Sequence, residues 1–217
     1  MSLPVSTIAE MNPPIYGFDI ETDTSIDGFD PSVSRIVAAS VVGESFAHVS
    51  QGDEREILTD IHRLLGELPT GVIATWNGSA FDLPFWHTRC EQHHLHSDLS
   101  LILDSSIVLR GGPMPGHQGA YQASWRGHRH LDAYRVYRGD LGRALPVSCA
   151  LKPLARFVGL DVVEVDRAQI HQLSKDELAS YVASDAHLTR LLVNKRLPTI
   201  LGAVDRLTVA NYEAEPS

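Results

Sequence analysis

Residues 76–85 read Trp76-Asn77-Gly78-Ser79-Ala80-Phe81-Asp82-Leu83-Pro84-Phe85. It overlaps the end of a β-prone run, so 72–76 is predicted to be a short strand. Asn-Gly is a turn signal, and a helix is predicted from Ala80 to about His93, with Asp82 in its first turns. Turn chemistry and the helix dipole account for Asn77 and Asp82 in structural terms, without any function.

A second acidic pair lies near the start of the chain. Residues 15–21 predict a buried strand that carries Asp19 and Glu21. Side chains two residues apart on a strand point to the same face, so the two carboxylates are presented together. Hard oxygen ligands of this kind are the ones that Mg²⁺ or Mn²⁺ prefers. Thr22 follows where the strand ends, and α/β proteins place their sites at the carboxyl ends of strands.

Tyr181 and Asp185 form a third pair, on the last major helix. Ser174 and Glu177 have the spacing of a capping box, which predicts a helix from there to about Arg196. Residues four apart on a helix share a face, so a tyrosine hydroxyl and a carboxylate are presented side by side. The hydroxyl can hold a water molecule, and the carboxylate can bind a metal ion.

The other periodic segments complete an α/β pattern in which strands come early and helices dominate late. The third predicted strand is antiparallel to the second. The additional strands are predicted at 35–42, 46–49 and 99–103, and the additional helices at 53–65 and 148–158.

Two segments without a clear period separate these elements. Residues 110–129 are rich in Gly, Pro and His, and are predicted to form a long mobile loop. Residues 130–134 are predicted to be a short strand or a strand-to-helix junction. We expect a freestanding chain with one α/β domain, divided into a leader over 1–14, the domain over 15–210 and a tail over 211–217.

Bulk properties exclude some classes of function. The chain has 217 residues and a net charge of -9, which argues against tight non-specific binding to long duplex DNA. Its one locally basic segment is 121–143. No apolar run approaches the roughly 20 residues of a membrane span, and no secretory signal is present, so no membrane contact is expected. Cys90 and Cys149 lie far apart, which suits a reducing, cytoplasmic setting.

Together, the three motifs resemble those of the DEDD exonucleases, in the same order and on the same elements. The 76–85 stretch is similar to the second exonuclease motif of family B DNA polymerases: aromatic, Asn, Gly, two variable residues, Phe, Asp, apolar, Pro, aromatic. Ser180 stands where the histidine form of the third motif would need His, so the tyrosine form, DEDDy, is the better match. This is the branch of polymerase proofreading domains. The resemblance spans roughly 15–195 and implies an RNase H-like mixed sheet flanked by helices.

The resemblance also implies a metal-dependent reaction at a 3′ end. Two divalent ions, Mg²⁺ or Mn²⁺, would lie about 3.5 to 4 Å apart. Asp19, Glu21 and Asp185 would hold the first ion; Asp19 would bridge to the second, which Asp82 would hold partly through water. Tyr181 would orient the attacking water, and the product would be a 5′-mononucleotide.

Substrate contacts are expected both beside the carboxylates and in the basic segment. In that segment, aromatic residues alternate with arginines, as in grooves that stack bases and track phosphates. A loop with one aromatic side chain packed down explains this pattern equally well. The expected contact residues are Thr22, Asn77, Phe81, Trp125, Arg126 and Arg129.

Three functions are compatible with the motifs. The favoured one is 3′–5′ exonuclease action on DNA, on single-stranded or frayed ends, alone or with a polymerase or repair partner. The second is the same chemistry on RNA, because the metal ions act on phosphate and not on the sugar. The third is a non-catalytic module that binds nucleic acid; the intact set of carboxylates argues against it, since crowded like charges destabilise a fold without metal.

Overall fold

A seven-stranded mixed sheet forms the centre of the molecule. The computed structural model describes residues 13–142 and 144–212, so nearly all of the predicted leader and most of the predicted tail lie outside the described residues. The spatial order is β3-β2-β1-β4-β7-β6-β5, in which β1, β4 and β7 are parallel and the other pairings are antiparallel. The strands are β1 (Ile15–Thr22), β2 (Ile36–Val42), β3 (Ala47–Gln51), β4 (Val72–Thr75), β5 (Leu99–Leu103), β6 (Tyr121–Trp125) and β7 (His128–Asp132).

Five α-helices and one 3₁₀ helix accompany the sheet in the described part of the chain. None of these helices combines the length and the apolar character that crossing a bilayer requires. The α-helices are α1 (Glu54–Glu67), α2 (Asp82–Gln92), α3 (Ala133–Asp140), α4 (Leu151–Phe157) and α5 (Lys175–Tyr212), and the 3₁₀ helix is Arg167–Gln172. A mixed sheet flanked by helices agrees with the predicted α/β class.

Alternation along β1 divides its side chains between two differently covered faces. Phe18 points to one face, where its ring makes edge contacts with Trp86 of α2 and Trp125 of β6. Gly17 points to the other, where a Cβ atom would come within 1.9 Å of the carbonyl oxygen of Ala186 in α5. The glycine therefore lets α5 lie directly against the strand.

This arrangement decides where the acidic residues of β1 are directed. Asp19 and Glu21 share the face of Gly17, so their carboxylates point towards α5 and away from the aromatic core. The helix begins at the predicted capping box: Ser174 Oγ accepts from the backbone N–H of Glu177, and Glu177 Oε2 accepts from the backbone N–H of Ser174 at 2.9 Å.

The predicted loop over 110–129 is wrong in its second half. Residues 121–132 form the hairpin of β6 and β7, whose turn consists of Arg126 and Gly127 with φ values of +48° and +83°. Two consecutive positive φ angles are the geometry of a tight two-residue hairpin turn. Glycine and arginine there mark a turn between paired strands, and the composition alone did not distinguish this from an open loop. The predicted junction over 130–134 is confirmed, since β7 passes directly into α3.

Two helix boundaries also differ from the prediction. The last helix continues to Tyr212, past the predicted end near Arg196, although Pro198 lies within it. A proline removes one backbone hydrogen bond without necessarily ending a helix. The helix predicted over 148–158 is shorter, Leu151–Phe157, with Pro153 in its first turn, where the missing N–H has no intrahelical partner to lose.

Candidate active site

Three carboxylates from β1 and α5 meet at one point. Ligand oxygens of Asp19, Glu21 and Asp185 all lie within 4.8 Å of one another, and no other group of three or more potential ligands with this spacing occurs among the described residues. Asp185 is buried, whereas Asp19 and Glu21 are half-buried. The close approach of α5 to β1 at Gly17 brings the two elements together here.

Asp82 lies beside this group, at the start of α2. Its side chain is buried. Burial and the charge of nearby Asp132 raise the pKa of Asp82 to about 7. Hydrogen bonds from backbone N–H groups, including that of Ile20, lower this pKa but do not outweigh the burial. The charge of Asp82 in turn contributes to the raised pKa of Asp19. The structure therefore brings all four predicted carboxylates into one electrostatic cluster.

Burial and mutual repulsion favour the protonated forms of the acids in this cluster. Burial, followed by the charges of Glu21, Asp82 and Asp185, raises the pKa of Asp19 well above its usual value. Burial, followed by the charge of Asp185, raises the pKa of Glu21 to about 8. Burial also raises the pKa of Asp185. Divalent cations would relieve this repulsion, because they replace protons with stronger positive charge.

The donor set fits hard divalent ions. It consists of carboxylate oxygens, without the nitrogen or sulfur ligands that zinc and copper favour. Oδ1 of Asp185 is buried, and the cation next to it is Nζ of Lys152, 3.3 Å away. This one ammonium does not offset the burial of the carboxylate, whose pKa stays raised. Mg²⁺ or Mn²⁺ is therefore compatible with the residues present.

Tyr181 lies one turn before Asp185, fully buried, with its hydroxyl directed at the cluster. Its oxygen accepts a hydrogen bond of 2.9 Å from Nε of Arg167. Nζ of Lys152 lies 3.7 Å from the centre of its ring. Burial and the charges of Glu21 and Asp185 raise the pKa of Tyr181, so the hydroxyl keeps its proton and remains a donor.

Two cations at the cluster were not found by the sequence analysis. Nζ of Lys152, on α4, lies 3.3 Å from Oδ1 of Asp185 and donates to the carbonyl oxygen of Val163 at 2.7 Å. Nη2 of Arg167 lies 3.6 Å from Oδ2 of Asp185. Lys152 gives one signal in the sequence, a lone charge in the apolar run 150–155. Arg167 gives none, because its local sequence is that of a polar turn.

Of the predicted substrate residues, Thr22 and Phe81 lie next to the carboxylates in the chain. Thr22 is buried, and its Oγ1 donates to the carbonyl oxygen of Gly28 at 2.7 Å, which shapes the loop after β1. The ring of Phe81 packs against Phe29, with 5.8 Å between ring centres. Phe29 is 73% exposed, so this pair forms an apolar surface beside Asp82.

Asn77 belongs to the turn between β4 and α2, where its φ is +70°. Its backbone N–H donates to Asp132 at 3.0 Å, and the backbone N–H of Ser79 donates to the same carboxylate at 3.2 Å. Asp132 also caps α3 by accepting from the backbone N–H of Arg135. The carboxylate thus holds the turn that positions Asp82.

The structure does not bring Trp125, Arg126 and Arg129 to the carboxylates. Trp125 is buried in the aromatic core, on the face of the sheet opposite Asp19, and its indole N–H donates to the carbonyl oxygen of Ser97 at 2.7 Å. Nη1 of Arg126 pairs with Asp98 at 2.9 Å. Arg129 is exposed and pairs in register with Val72, at the start of β4. Asp82 lies beyond the opposite end of that strand. The predicted groove over this segment is therefore not supported by its position.

Comparisons with known proteins agree with this architecture. The family model for the exonuclease domain of family B DNA polymerases matches residues 48–152. A DNA polymerase of Archaeoglobus fulgidus is 24% identical over 192 residues, which cover 83% of this chain and 22% of that protein. The family B DNA polymerase of the hyperthermophilic archaeon Pyrobaculum calidifontis has a similar structure over 87% of this chain and 25% of its own, with a TM-score of 0.69 and 20% identity.

The chain thus spans about a quarter of the length of the polymerases it matches. The predicted similarity to the exonuclease domain of family B polymerases is confirmed. The shared architecture also confirms the predicted RNase H-like fold, a mixed sheet flanked by helices.

Proposed function

We propose that this chain is a metal-dependent 3′–5′ exonuclease that removes 5′-mononucleotides from the 3′ ends of DNA. The observation that carries the proposal is the cluster of Asp19, Glu21 and Asp185, with ligand oxygens within 4.8 Å of one another on an exonuclease-like fold. Asp82 beside the cluster and Tyr181 one helical turn from Asp185 complete the set of residues that the chemistry requires.

In this proposal, Asp19, Glu21 and Asp185 would hold one divalent ion, and Asp19 and Asp82 would hold another. Such ions lower the pKa of a bound water and neutralise charge on the phosphate. Either Mg²⁺ or Mn²⁺ suits an all-carboxylate site. The raised pKa values of Glu21 and Asp82 mean that metal binding releases protons, so metal affinity increases with pH.

The residues of the chain supply orientation. The hydroxyl of Tyr181 donates to the attacking water and fixes its approach to the terminal phosphodiester. Glu21 and the backbone near Thr22 contact the terminal nucleotide, which restricts cleavage to ends. Phe81 offers an apolar face to the terminal base. Asn77, in the turn before α2, is proposed as a further contact.

The surface proposed for substrate omits Trp125, Arg126 and Arg129, because they lie at the other end of the sheet. An acidic protein that lacks this basic groove suits a short single-stranded or frayed end better than a long duplex. A polymerase or repair protein that delivers the 3′ end is the class of partner that we propose.

DNA is proposed over RNA because the relatives named above are DNA polymerases. Purified protein is incubated with Mn²⁺ or EDTA and a 5′-labelled single-stranded DNA oligonucleotide, beside an RNA oligonucleotide of matched sequence. We expect a metal-dependent ladder that shortens from the 3′ end, faster on DNA. Faster shortening of RNA would reassign the substrate. No shortening of either strand would leave only a binding function.

A further inference from the structure

The guanidinium of Arg167 lies at the mouth of the carboxylate cluster. Arg167 is the first residue of the 3₁₀ helix, which Asp166 caps by accepting from the backbone N–H of Ala168 at 3.0 Å. The hydroxyl of Thr24, just beyond β1, donates to the carbonyl oxygen of Ala168 at 3.2 Å. The 3₁₀ helix is also anchored by the buried side chain of Ile170. The backbone of Arg167 is therefore held against the site and is not part of a free loop.

The side chain of Arg167 is fixed at one nitrogen and open at the others. Nε donates to the oxygen of Tyr181 at 2.9 Å. Nη2 is 3.6 Å from Asp185, beyond hydrogen-bond length, and the side chain is 70% exposed. A guanidinium has five N–H donors in a rigid fork, and within the part of the chain that the structure describes only the one on Nε makes a hydrogen bond.

We propose that Arg167 contacts the scissile phosphate, donating from its Nη groups to a non-bridging oxygen while Nε holds Tyr181. This inference rests on the proposed function and adds a residue to it. A planar guanidinium held at its Nε edge presents parallel N–H groups to phosphate oxygens, a geometry that lysine cannot reproduce.

The charges of the site favour this assignment. Two divalent ions would balance the four carboxylates, so Lys152 and Arg167 would leave the loaded site with two excess positive charges. As the oxygen of water bonds to phosphorus, the phosphodiester passes from one negative charge towards two. The bond to the 3′ oxygen of the preceding nucleotide then breaks, that oxygen takes up a proton, and the attacking water loses one. Positive charge at the phosphate stabilises this transition state more than the ground state.

Of the two cations, Arg167 is better placed to reach a phosphate. Lys152 is buried, and its ammonium group already donates to the carbonyl oxygen of Val163. Arg167 faces the mouth. Its hydrogen bond to Tyr181 also occupies a lone pair of the phenol oxygen, so the phenol proton must point elsewhere and is available to the attacking water. Arg167 and Tyr181 should therefore act as a coupled pair.

The test compares Arg167→Gln and Arg167→Lys with wild type, and uses Arg63→Gln as control. Arg63 is an exposed arginine on α1, ion-paired to Glu67, and has no contact with the site. Steady-state kinetics are measured with Mn²⁺ on the 4-nitrophenyl ester of thymidine 5′-monophosphate. We expect kcat to fall about 100-fold in Arg167→Gln and about 10-fold in Arg167→Lys, with wild-type rates in the control. Tyr181→Phe should cost much less in the Arg167→Gln background than alone.

Two binding measurements separate this role from a structural one. Mn²⁺ affinity should be unchanged or higher in Arg167→Gln, because a competing cation is removed. Thymidine 5′-monophosphate, measured by calorimetry with Ca²⁺ in place of Mn²⁺, should bind about 10-fold more weakly to Arg167→Gln, the size of one charge-assisted contact. The inference is overturned if the nucleotide binds both proteins equally, if kcat changes less than about threefold, or if Mn²⁺ binding is lost with activity.

The nucleotide measurement also separates failure of this inference from failure of the proposed function. If wild type hydrolyses neither the ester nor any oligonucleotide, the proposed function is wrong. A nucleotide affinity that still depends on Arg167 would then leave the phosphate contact standing in a binding protein.

Discussion

Two buried acidic sites in this molecule have opposite electrostatic characters. At Glu54, burial alone would raise the pKa, but hydrogen bonds from Arg89, His93 and the backbone N–H of Ile36 outweigh it, and the pKa is lowered. Nε of Arg89 lies 2.7 Å from one oxygen, and Nε2 of His93 lies 2.7 Å from the other. This carboxylate is completely paired, and it ties β2, α1 and α2 together.

The cluster around Asp19 has the opposite balance. The side chains of Asp19 and Glu21 accept no hydrogen bond among the described residues, and their pKa values are raised. Lys152 and Arg167 approach only Asp185 closely. Burial of an acid is thus not what distinguishes a functional site in this fold. What differs here is that Asp19 and Glu21 are acids without hydrogen-bond donors among the described residues, which leaves their oxygens available to cations.

The largest effect on activity is expected from a substitution in the cluster around Asp19. Asp19→Asn keeps the size of the side chain but removes a metal ligand, so we expect kcat to fall by at least about 1,000-fold. The metal-free variant should be as stable as wild type or more so, because asparagine is neutral and folding no longer requires the protonation of this buried carboxylate. Oligonucleotide kinetics and thermal unfolding in EDTA check both parts. An Asp19→Asn variant with wild-type activity would show that Asp19 is not an essential metal ligand.

Substitution of the paired acid Glu54 should instead lower stability. Glu54→Gln leaves the partly buried Arg89 without its counter-ion, so we expect a loss of about 3 kcal/mol, or roughly 6–12 °C in Tm. The folded protein should retain its catalytic rate, because Glu54 lies outside the cluster. Chemical denaturation and kinetics at low temperature measure the two quantities separately. A normal Tm with lost activity would show that Glu54 belongs to the functional machinery.

The pH dependence of stability should also have opposite signs at the two sites. The pKa of Glu21 is raised from 4.5 to about 8, so between these values the native state holds a proton that the unfolded state has lost. Glu21 therefore makes its largest contribution to the free energy of unfolding below about pH 4, and this contribution is lost as pH rises through 8. The pKa of Glu54 is lowered, so its contribution is present above its unfolded pKa and is lost on acidification.

Glu21→Gln isolates the first of these effects. In EDTA, the variant should gain about 1–3 kcal/mol relative to wild type between pH 5 and 8.5. Saturating Mn²⁺ should stabilise wild type most at the upper end of this range, because the ion keeps the carboxylates ionised. Parallel stability profiles for the two proteins in EDTA would contradict the raised pKa.

Asp132 provides an intermediate case and the smallest expected effect. Its carboxylate is paired like Glu54, but it holds the turn that positions Asp82. Asp132→Asn should therefore lower both stability and kcat, by about 1 kcal/mol and about 10-fold. Unfolding and kinetics on the same preparation test this. A change in stability alone would mean that Asp132 is purely structural, and a change in kcat alone would mean that it acts only on the carboxylate cluster.

The sequence carried enough information for the elements that hold the carboxylates. Alternation on β1 placed Asp19 and Glu21 on one face, and the capping box at Ser174 placed the start of α5. These are local regularities, with periods of two residues on a strand and about 3.6 on a helix. The hairpin turn at Arg126 and Gly127 was missed because its signal depends on two φ angles and not on composition.

The cations at the cluster were beyond sequence reasoning for a different reason. Lys152 and Arg167 reach Asp185 from two separate segments with no spacing rule between them. Their proximity follows from how α4 and the 3₁₀ helix pack against α5. Trp125 shows the reverse error, since an aromatic residue beside arginines resembled a stacking platform but belongs to the core.

The proposed metal site is tested by a calorimetric titration of the metal-free protein with Mn²⁺ near pH 7.5, beside Asp19→Asn and Glu54→Gln. We expect two ions bound per wild-type chain, loss of tight binding in Asp19→Asn, and wild-type stoichiometry in folded Glu54→Gln. If wild type binds no ion, or if wild type and Asp19→Asn bind equally, the cluster around Asp19 is not the metal site.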